Sequence, residues 1–194
     1  MPLHHKRFSD KHLRARWWDY SREAMYFITF KTADRERILG RIENEKMVLS
    51  EAGEIVKQEW EKSFEIRKEL FCDVYQIMPD HVHAIVRITE TIDSAVDSIS
   101  AVDSDGRPNP LLKNNFEVKK YGVAYRPPKS VSSFIAGFKS SATKRINEYR
   151  QTPRKPVWQS KFHDRIIRNA LEYIRISKYI ANNPAKWEKD HPET

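Results

Sequence analysis

The spacing of apolar and polar positions along the chain predicts seven elements. Residues 25–31 read Met-Tyr-Phe-Ile-Thr-Phe-Lys, a β-branched and aromatic run that predicts a first strand. From about 51 to 68, Ile55, Val56, Trp60 and Phe64 recur at helical spacing, and Ser50 stands where an N-cap belongs. Residues 71–78 and 81–88 predict two more strands. Pro79-Asp80 between them is a turn signal, so the pair reads as a hairpin. In 130–149, Val131, Phe134, Ile135, Phe138, Ala142 and Ile146 mark the buried stripe of a second helix, with Ser130 or Ser132 as its cap. Residues 157–168 predict a fourth strand, and 171–182 a third helix ended by Asn183-Pro184. The polar residues 32–50 read as a connection.

Strand, helix, strand, strand, helix, strand is the split βαβ order of a ferredoxin-like α+β sandwich. Helices would cover one face of an antiparallel sheet, with the added C-terminal helix outside that pattern. The other face, or its rim, is left for a ligand. This domain is expected over 23–187, after a basic, aromatic arm at 1–22 and before a polar tail at 188–194. Residues 89–129 are rich in Ser, Asp, Pro and Asn, and Ser-Ala-Val-Asp-Ser occurs at 94–98 and again at 100–104. That reads as a local duplication within a flexible insertion, or a lid over a site.

Charge narrows the choice of partner. The 194 residues suffice for one full-size core and carry 35 Lys/Arg against 27 Asp/Glu, a net charge of +8. Such a balance suits an anionic partner, with nucleic acid first and a membrane surface second. From Arg126 onward there are 15 basic and 6 acidic residues, so the excess lies in the last third. A solvated basic surface is the plainer alternative. Cys72 is the only cysteine, which excludes an intrachain disulfide and a cysteine zinc site. No apolar run approaches the roughly 18–20 residues of a membrane span. The first residues lack an apolar signal segment, so a cytoplasmic location is the default expectation. His4 and His5 read as part of the basic arm.

Three constellations could carry chemistry. In a strand, His81 and His83 point to one face and Val82 to the other, which suits two imidazoles gripping one cation. The same spacing also fits two surface or hydrogen-bonded histidines. Tyr179 and Asn183 lie one turn apart on the last helix; a tyrosine nucleophile with an oxygen ligand nearby fits, as do a rim aromatic and a helix-ending Asn. Tyr121, Tyr125, Tyr149 and Tyr173 are rival nucleophiles. Lys139, Lys144, Arg145, Arg150, Arg154, Lys155, Lys161, Arg165 and Arg168, interleaved with Trp158 and Phe162, resemble the phosphate contacts and stacking platforms of single-strand binders. The two aromatics also fit a core. Asp80-His81 and His163-Asp164 are acid–imidazole neighbours without a serine or cysteine nucleophile context. Five glycines in all leave no Gly-rich phosphate loop.

Tyr-Phe-Ile-Thr-Phe at 26–30, Met-Pro-Asp-His-Val-His at 78–83, Trp158-Gln159 with Phe162 and Ile-Ile-Arg at 166–168, and Tyr-Ile-Ala-Asn-Asn-Pro at 179–184 occur in this order. Together they resemble the REP-associated tyrosine transposases, within the single-tyrosine transposases of the His-hydrophobic-His class. The resemblance covers about 20–187 apart from 89–129, and the histidine and tyrosine blocks are specific only in combination. It implies a ferredoxin-like sheet bearing the histidines and a C-terminal helix bearing the nucleophile. By position, it makes His81, His83 and Asn183 metal ligands and Tyr179 the nucleophile; the spacing from Tyr179 favours Asn183 over Asn182. It further implies Mg²⁺ or Mn²⁺, and a single-stranded DNA endonuclease and strand transferase active in transposition and recombination, often at hairpins of repeated extragenic palindromes. The DNA contacts would come from Lys139, Lys144, Arg145, Arg154, Lys155, Lys161, Arg165 and Arg168. The runner-up is a non-catalytic DNA- or RNA-binding protein that keeps the fold; a zinc protein using His81, His83 and His163 ranks third. Monomer or dimer, and use of the tyrosine helix in cis or in trans, are left open.

Overall fold

The computed structural model describes residues 22–89 and 129–190. In chain order its elements are β1 (Ala24–Lys31), β2 (Gly40–Glu43), β3 (Lys46–Leu49), α1 (Glu51–Ile66), β4 (Leu70–Met78), β5 (His81–Ile88), α2 (Val131–Arg150), β6 (His163–Ile167), α3 (Ala170–Ala181) and α4 (Asn183–Asp190). The duplicated segment, Tyr121, Tyr125 and all but the last residue of the 1–22 arm lie outside the described residues.

The main sheet has four antiparallel strands in the order β4-β5-β1-β6, which is the ferredoxin-like arrangement expected from the element order. Both predicted caps form. Ser50 Oγ accepts from the Gly53 amide at 3.1 Å, and Ser130 and Ser133 close a reciprocal capping box. α1 and α2 pack together over one face of the sheet. Strand alternation sends Tyr26, Ile28 and Phe30 of β1 into that layer, where they are fully buried. The Phe30 ring meets Trp60, Phe138 and Trp158 at centroid distances of 5.8, 5.3 and 5.2 Å. Such edge-on and tilted aromatic packing adds about 0.5–1.5 kcal/mol per pair beyond area burial.

The opposite face is treated differently along its length. At one end, Met25, Phe27, Ile85 and Ile167 lie beneath Ile176 and Ile180 of α3. At the other end the same face carries Thr29, Lys31, His81, His83 and His163, placed side by side by the registers Lys31↔His81, Thr29↔His83 and Thr29↔His163.

Three predicted boundaries change. Residues 32–50 hold the β2–β3 hairpin, whose turn is Asn44-Glu45 with both φ positive, at 51° and 59°. That turn lacks the Asn-Gly signature, so only the two backbone angles reveal it. The hairpin's entry passes so close to α1 that a Cβ on Gly53 would lie 2.1 Å from the Leu39 carbonyl oxygen. Second, 157–168 is not one strand. Trp158 makes an isolated bridge to Thr32, and β6 starts only at His163. Third, Asn183-Pro184 ends α3 but also opens α4, because proline is harmless in a first helical turn, where its missing N–H has no partner to lose. The predicted polar tail therefore begins inside α4 at 188–190.

Candidate active site

The polar end of the open face is built around the two predicted histidines, which are 7% and 6% exposed. Their rings meet edge to face with centroids 4.5 Å apart. His81 Nδ1–H donates to Asp80 Oδ1 at 2.5 Å, since an ionised carboxylate only accepts. The Arg35 Nε–H donates to the other Asp80 oxygen at 2.5 Å. Burial works against the Asp80 charge, but the bond from His81 and the charges of His81 and Arg35 outweigh it, so the carboxyl stays below the usual carboxylate range. His83 Nδ1 is hydrogen-bonded with the Thr29 hydroxyl at 2.7 Å. Burial, followed by the charges of His81 and Lys31, pushes the His83 pKa down to about 3, so its ring is neutral at physiological pH.

α3 brings Tyr179 to this pair. Its hydroxyl and His83 Nε2 are 3.3 Å apart, and Phe27 stacks on His83 while meeting Tyr179 edge-on. The helix is seated by Ile176 and Ile180 on the apolar half of the face. Its N-terminus is fixed by Asn169, whose side chain accepts from the Glu172 amide at 2.8 Å. Glu172 in turn accepts from the Arg168 amide and pairs with Arg165, tying the helix back to β6. Tyr179 is 44% exposed and faces a cavity of about 540 Å³, lined by Lys31, Arg35, His81, His83, Gln159, Lys161, Phe162 and His163 among others. No carboxylate lines that cavity, and neither Lys31 nor Lys161 makes an ion pair among the described residues. The volume falls in the range of small-ligand sites, and the charge selects an anion.

The donor set fits a divalent cation as half of a site. Both imidazoles have Nδ1 engaged and Nε2 directed to the cavity side, with a carboxylate behind His81, the arrangement that orients metal-binding histidines. Two neutral imidazoles suit Mn²⁺ better than Mg²⁺. Among the described residues no group of three His, Cys, Asp or Glu could hold a metal, so further ligands must be of another kind. Asn183 is buried at the first position of α4 and does not line the cavity.

No protein-family model matches the chain. A protein of Haemophilus influenzae described as uncharacterized is 31% identical over 189 residues, which is 97% of this chain and 93% of its own length. The chain belongs to that protein's family. Among solved structures, a REP-associated tyrosine transposase bound to a REP hairpin aligns over 92% of this chain and 81% of its own, with a TM-score of 0.55 and 18% identity. The fold is that of a REP-associated tyrosine transposase.

Within that transposase fold, the expected DNA-contacting cations are scattered. Lys161 alone of the eight lines the cavity. Arg145 pairs with Glu59 at 2.8 Å, Lys155 with Glu36 at 3.2 Å and Arg165 with Glu172 at 2.5 Å. Lys144 lies 4.0 Å from Glu148 on the exposed side of α2, and Arg154 and Arg168 are exposed. Lys139 is turned inward. Of the rival nucleophiles, Tyr173 packs with the apolar patch under α3 and Tyr149 is exposed near the end of α2; neither lines the cavity. Sequence reasoning missed Thr29, Lys31, Arg35 and Gln159, which only the strand register and the β1 exit bring together. It also missed Trp187, whose ring lies 5.7 Å from His81 with the Arg37 guanidinium 5.4 Å from its centroid. The Asp80-His81 pair, read from the sequence as acid–imidazole neighbours, does form, though the sequence assigned it no part in the site.

Proposed function

We propose that the protein is a single-stranded DNA endonuclease and strand transferase, a transposase that works through a covalent tyrosine–DNA intermediate. The observation that carries this reading is the Tyr179 hydroxyl 3.3 Å from His83 Nε2, at the rim of a cationic cavity without carboxylates. The REP hairpin bound by the transposase of like fold supports hairpin DNA as the substrate class.

In the proposed reaction a backbone phosphate enters the cavity and is held by Lys31, Arg35 and Lys161. The Tyr179 oxygen attacks phosphorus, the bond to the 3′ oxygen breaks, and the products are a 5′-phosphotyrosine and a free 3′-hydroxyl. Attack by a 3′-hydroxyl reverses the step, so strands are rejoined without ATP. The phenolic proton passes to water at the cavity mouth, which reaches Tyr179 because the side chain is half-exposed. Mg²⁺ or Mn²⁺ would be held by His81 and His83 and would supply charge stabilisation at the phosphate; Asn183, the third ligand the resemblance implies, is buried off the cavity and would have to be brought to it.

The test is incubation with a labelled single-stranded hairpin and flanking sequence in Mn²⁺, followed by denaturing electrophoresis. A covalent adduct that vanishes in Tyr179→Phe is expected. Hairpin binding without an adduct favours the non-catalytic binding protein, and an adduct that persists in Tyr179→Phe rejects the nucleophile.

A further inference from the structure

The sequence places Lys139 among the DNA-contacting cations, but the structure turns its half-buried ammonium onto the backbone of another segment. Lys139 Nζ donates to the carbonyl oxygens of Gln159 at 2.8 Å and Lys161 at 3.2 Å. The same nitrogen lies 5.9 Å from the Phe30 ring centroid and 5.8 Å from that of Phe162. The two carbonyls flank the bend at Ser160, and one ammonium bridges them. The segment is held at its start by the Thr32–Trp158 bridge and by the Gln159 amide donating to the Lys31 carbonyl at 3.0 Å. Beyond that point these two carbonyls accept from Lys139, in the stretch between the bridge and β6. The side chains of Gln159, Lys161 and Phe162 line the cavity that Tyr179 faces.

We propose that Lys139 is a positioning residue for strand cleavage: it fixes the 159–162 wall of the cavity, and so fixes where the phosphate beside Tyr179 is held. The proposal rests on the reading of the site as a single-stranded DNA transesterase. A cation serving a solvent-facing phosphate would not be tied to two backbone carbonyls. Here burial alone pushes the Lys139 pKa down to about 8, a cost accepted for two carbonyl bonds and two aromatic faces. Cavity-wall displacements of an ångström in such sites can cost about 100-fold in rate.

The experiment compares full-length wild type, Lys139→Met and Lys161→Gln. It reads the salt dependence of affinity for a labelled single-stranded hairpin oligonucleotide, the single-turnover rate of adduct formation with Mn²⁺ at saturating DNA, and backbone amide exchange over 159–163 in the free protein. Lys161→Gln is expected to lower the log–log salt slope by about 0.7, the loss of one phosphate contact on a single strand. Lys139→Met is expected to leave that slope unchanged, to cut the single-turnover rate about ten-fold or more, and to speed exchange at 159–163. Lys139→Arg, which keeps a cation with several donors, should regain most of the protection and rate. A slope that falls in Lys139→Met as it does in Lys161→Gln, with exchange unchanged, overturns the proposal and makes Lys139 a direct phosphate contact. Should Lys139→Met not fold, Lys139→Gln, with an N–H donor on a shorter stem, carries the same three comparisons. Should the wild type form no adduct on any hairpin, the reading of the site fails; exchange at 159–163 then decides Lys139 by itself, faster exchange supporting the positioning role and unchanged exchange overturning it.

Discussion

One face of the main sheet is sealed by α1 and α2, while the other is half covered by α3 and half left to the cavity. The sealed face holds Tyr26, Ile28, Phe30, Trp60, Phe134 and Phe138, all 3% exposed or less. The open face has an apolar patch of four buried residues, Ile85, Ile167, Ile176 and Ile180, and beyond it a row of histidines, lysines and a tyrosine. The contrast assigns different work to the two sides of the same strands. The sealed side supplies the apolar burial that stabilises the fold. The small patch on the open side holds a helix just firmly enough to present Tyr179, and the bare strand ends beside it remain polar and reachable. A β1 residue therefore belongs to the core or to the site according to parity alone: Phe30 and Thr29 are neighbours in sequence and 180° apart in role.

The sharpest way to break that contrast is to damage each side separately. Tyr179→Phe should reduce adduct formation by at least roughly 10³-fold while leaving the urea midpoint nearly unchanged, because the side chain is half-exposed and the hydroxyl's contact to His83 is a long one at 3.3 Å. Trp60→Ala should do the reverse. It should lower stability by about 3–5 kcal/mol in urea unfolding while the folded fraction keeps its site chemistry. If both substitutions lower both quantities together, the division of labour is wrong.

Acid should reach the open face first. The folded pKa of His83 is about 3, below the roughly 6.5 of an ordinary imidazole. The unfolded chain therefore binds more protons between those values. Stability from His83 is complete above about pH 6.5 and is lost as the pH falls toward 3, by up to ~1.4 kcal/mol per unit. Comparing urea unfolding at pH 7 and pH 5, His83→Gln should flatten that loss. The sealed-face Glu59 is held below the carboxylate range, where its bonds from Ser141 and Arg145 outweigh burial, so its loss comes only at lower pH. An unflattened profile in His83→Gln would place the acid sensitivity elsewhere.

A smaller effect is expected behind His81. Asp80→Asn removes the carboxylate that orients the ring, and Mn²⁺ affinity in titration calorimetry should weaken about 10–100-fold. Unchanged affinity would mean that His81 does not hold the cation. Smallest of all, Lys144→Ala on the exposed side of α2 should change stability by less than about 0.5 kcal/mol in urea unfolding. A larger change would give that solvated face a structural role it lacks in this arrangement.

The main sheet, its helices and both capping serines were legible because each rests on a local period or a local side chain. Ser50 and Ser130 cap from the position directly before their helices, and β1 is a run of aromatic and β-branched residues. The β2–β3 hairpin was not legible, since Asn44-Glu45 turns without glycine and its few apolar residues look like a polar connection. The break in 157–168 could not be read either, because Trp158, Phe162, Ile166 and Ile167 look continuous in sequence while only Trp158 and 163–167 find strand partners. The same division holds for the site. His81, His83 and Tyr179 follow from strand parity and an ordered set of motifs, and the fold brings them together. Lys31, Arg35 and Gln159 depend on strand register and on the chain's exit from β1, which no local pattern encodes. Charge counting could not show that Arg145, Lys155 and Arg165 each meet a carboxylate, because a cation's sign is written in the sequence and its nearest carboxylate is not.

The central claim is that Tyr179 is the group that joins to DNA. It is tested most directly by digesting the protein–hairpin adduct with protease and nuclease and locating the nucleotide-bearing peptide by mass spectrometry. The account predicts a 5′-linked nucleotide on Tyr179. A nucleotide on Tyr173, Tyr149 or any other residue, or hairpin binding with no linked peptide at all, would contradict it.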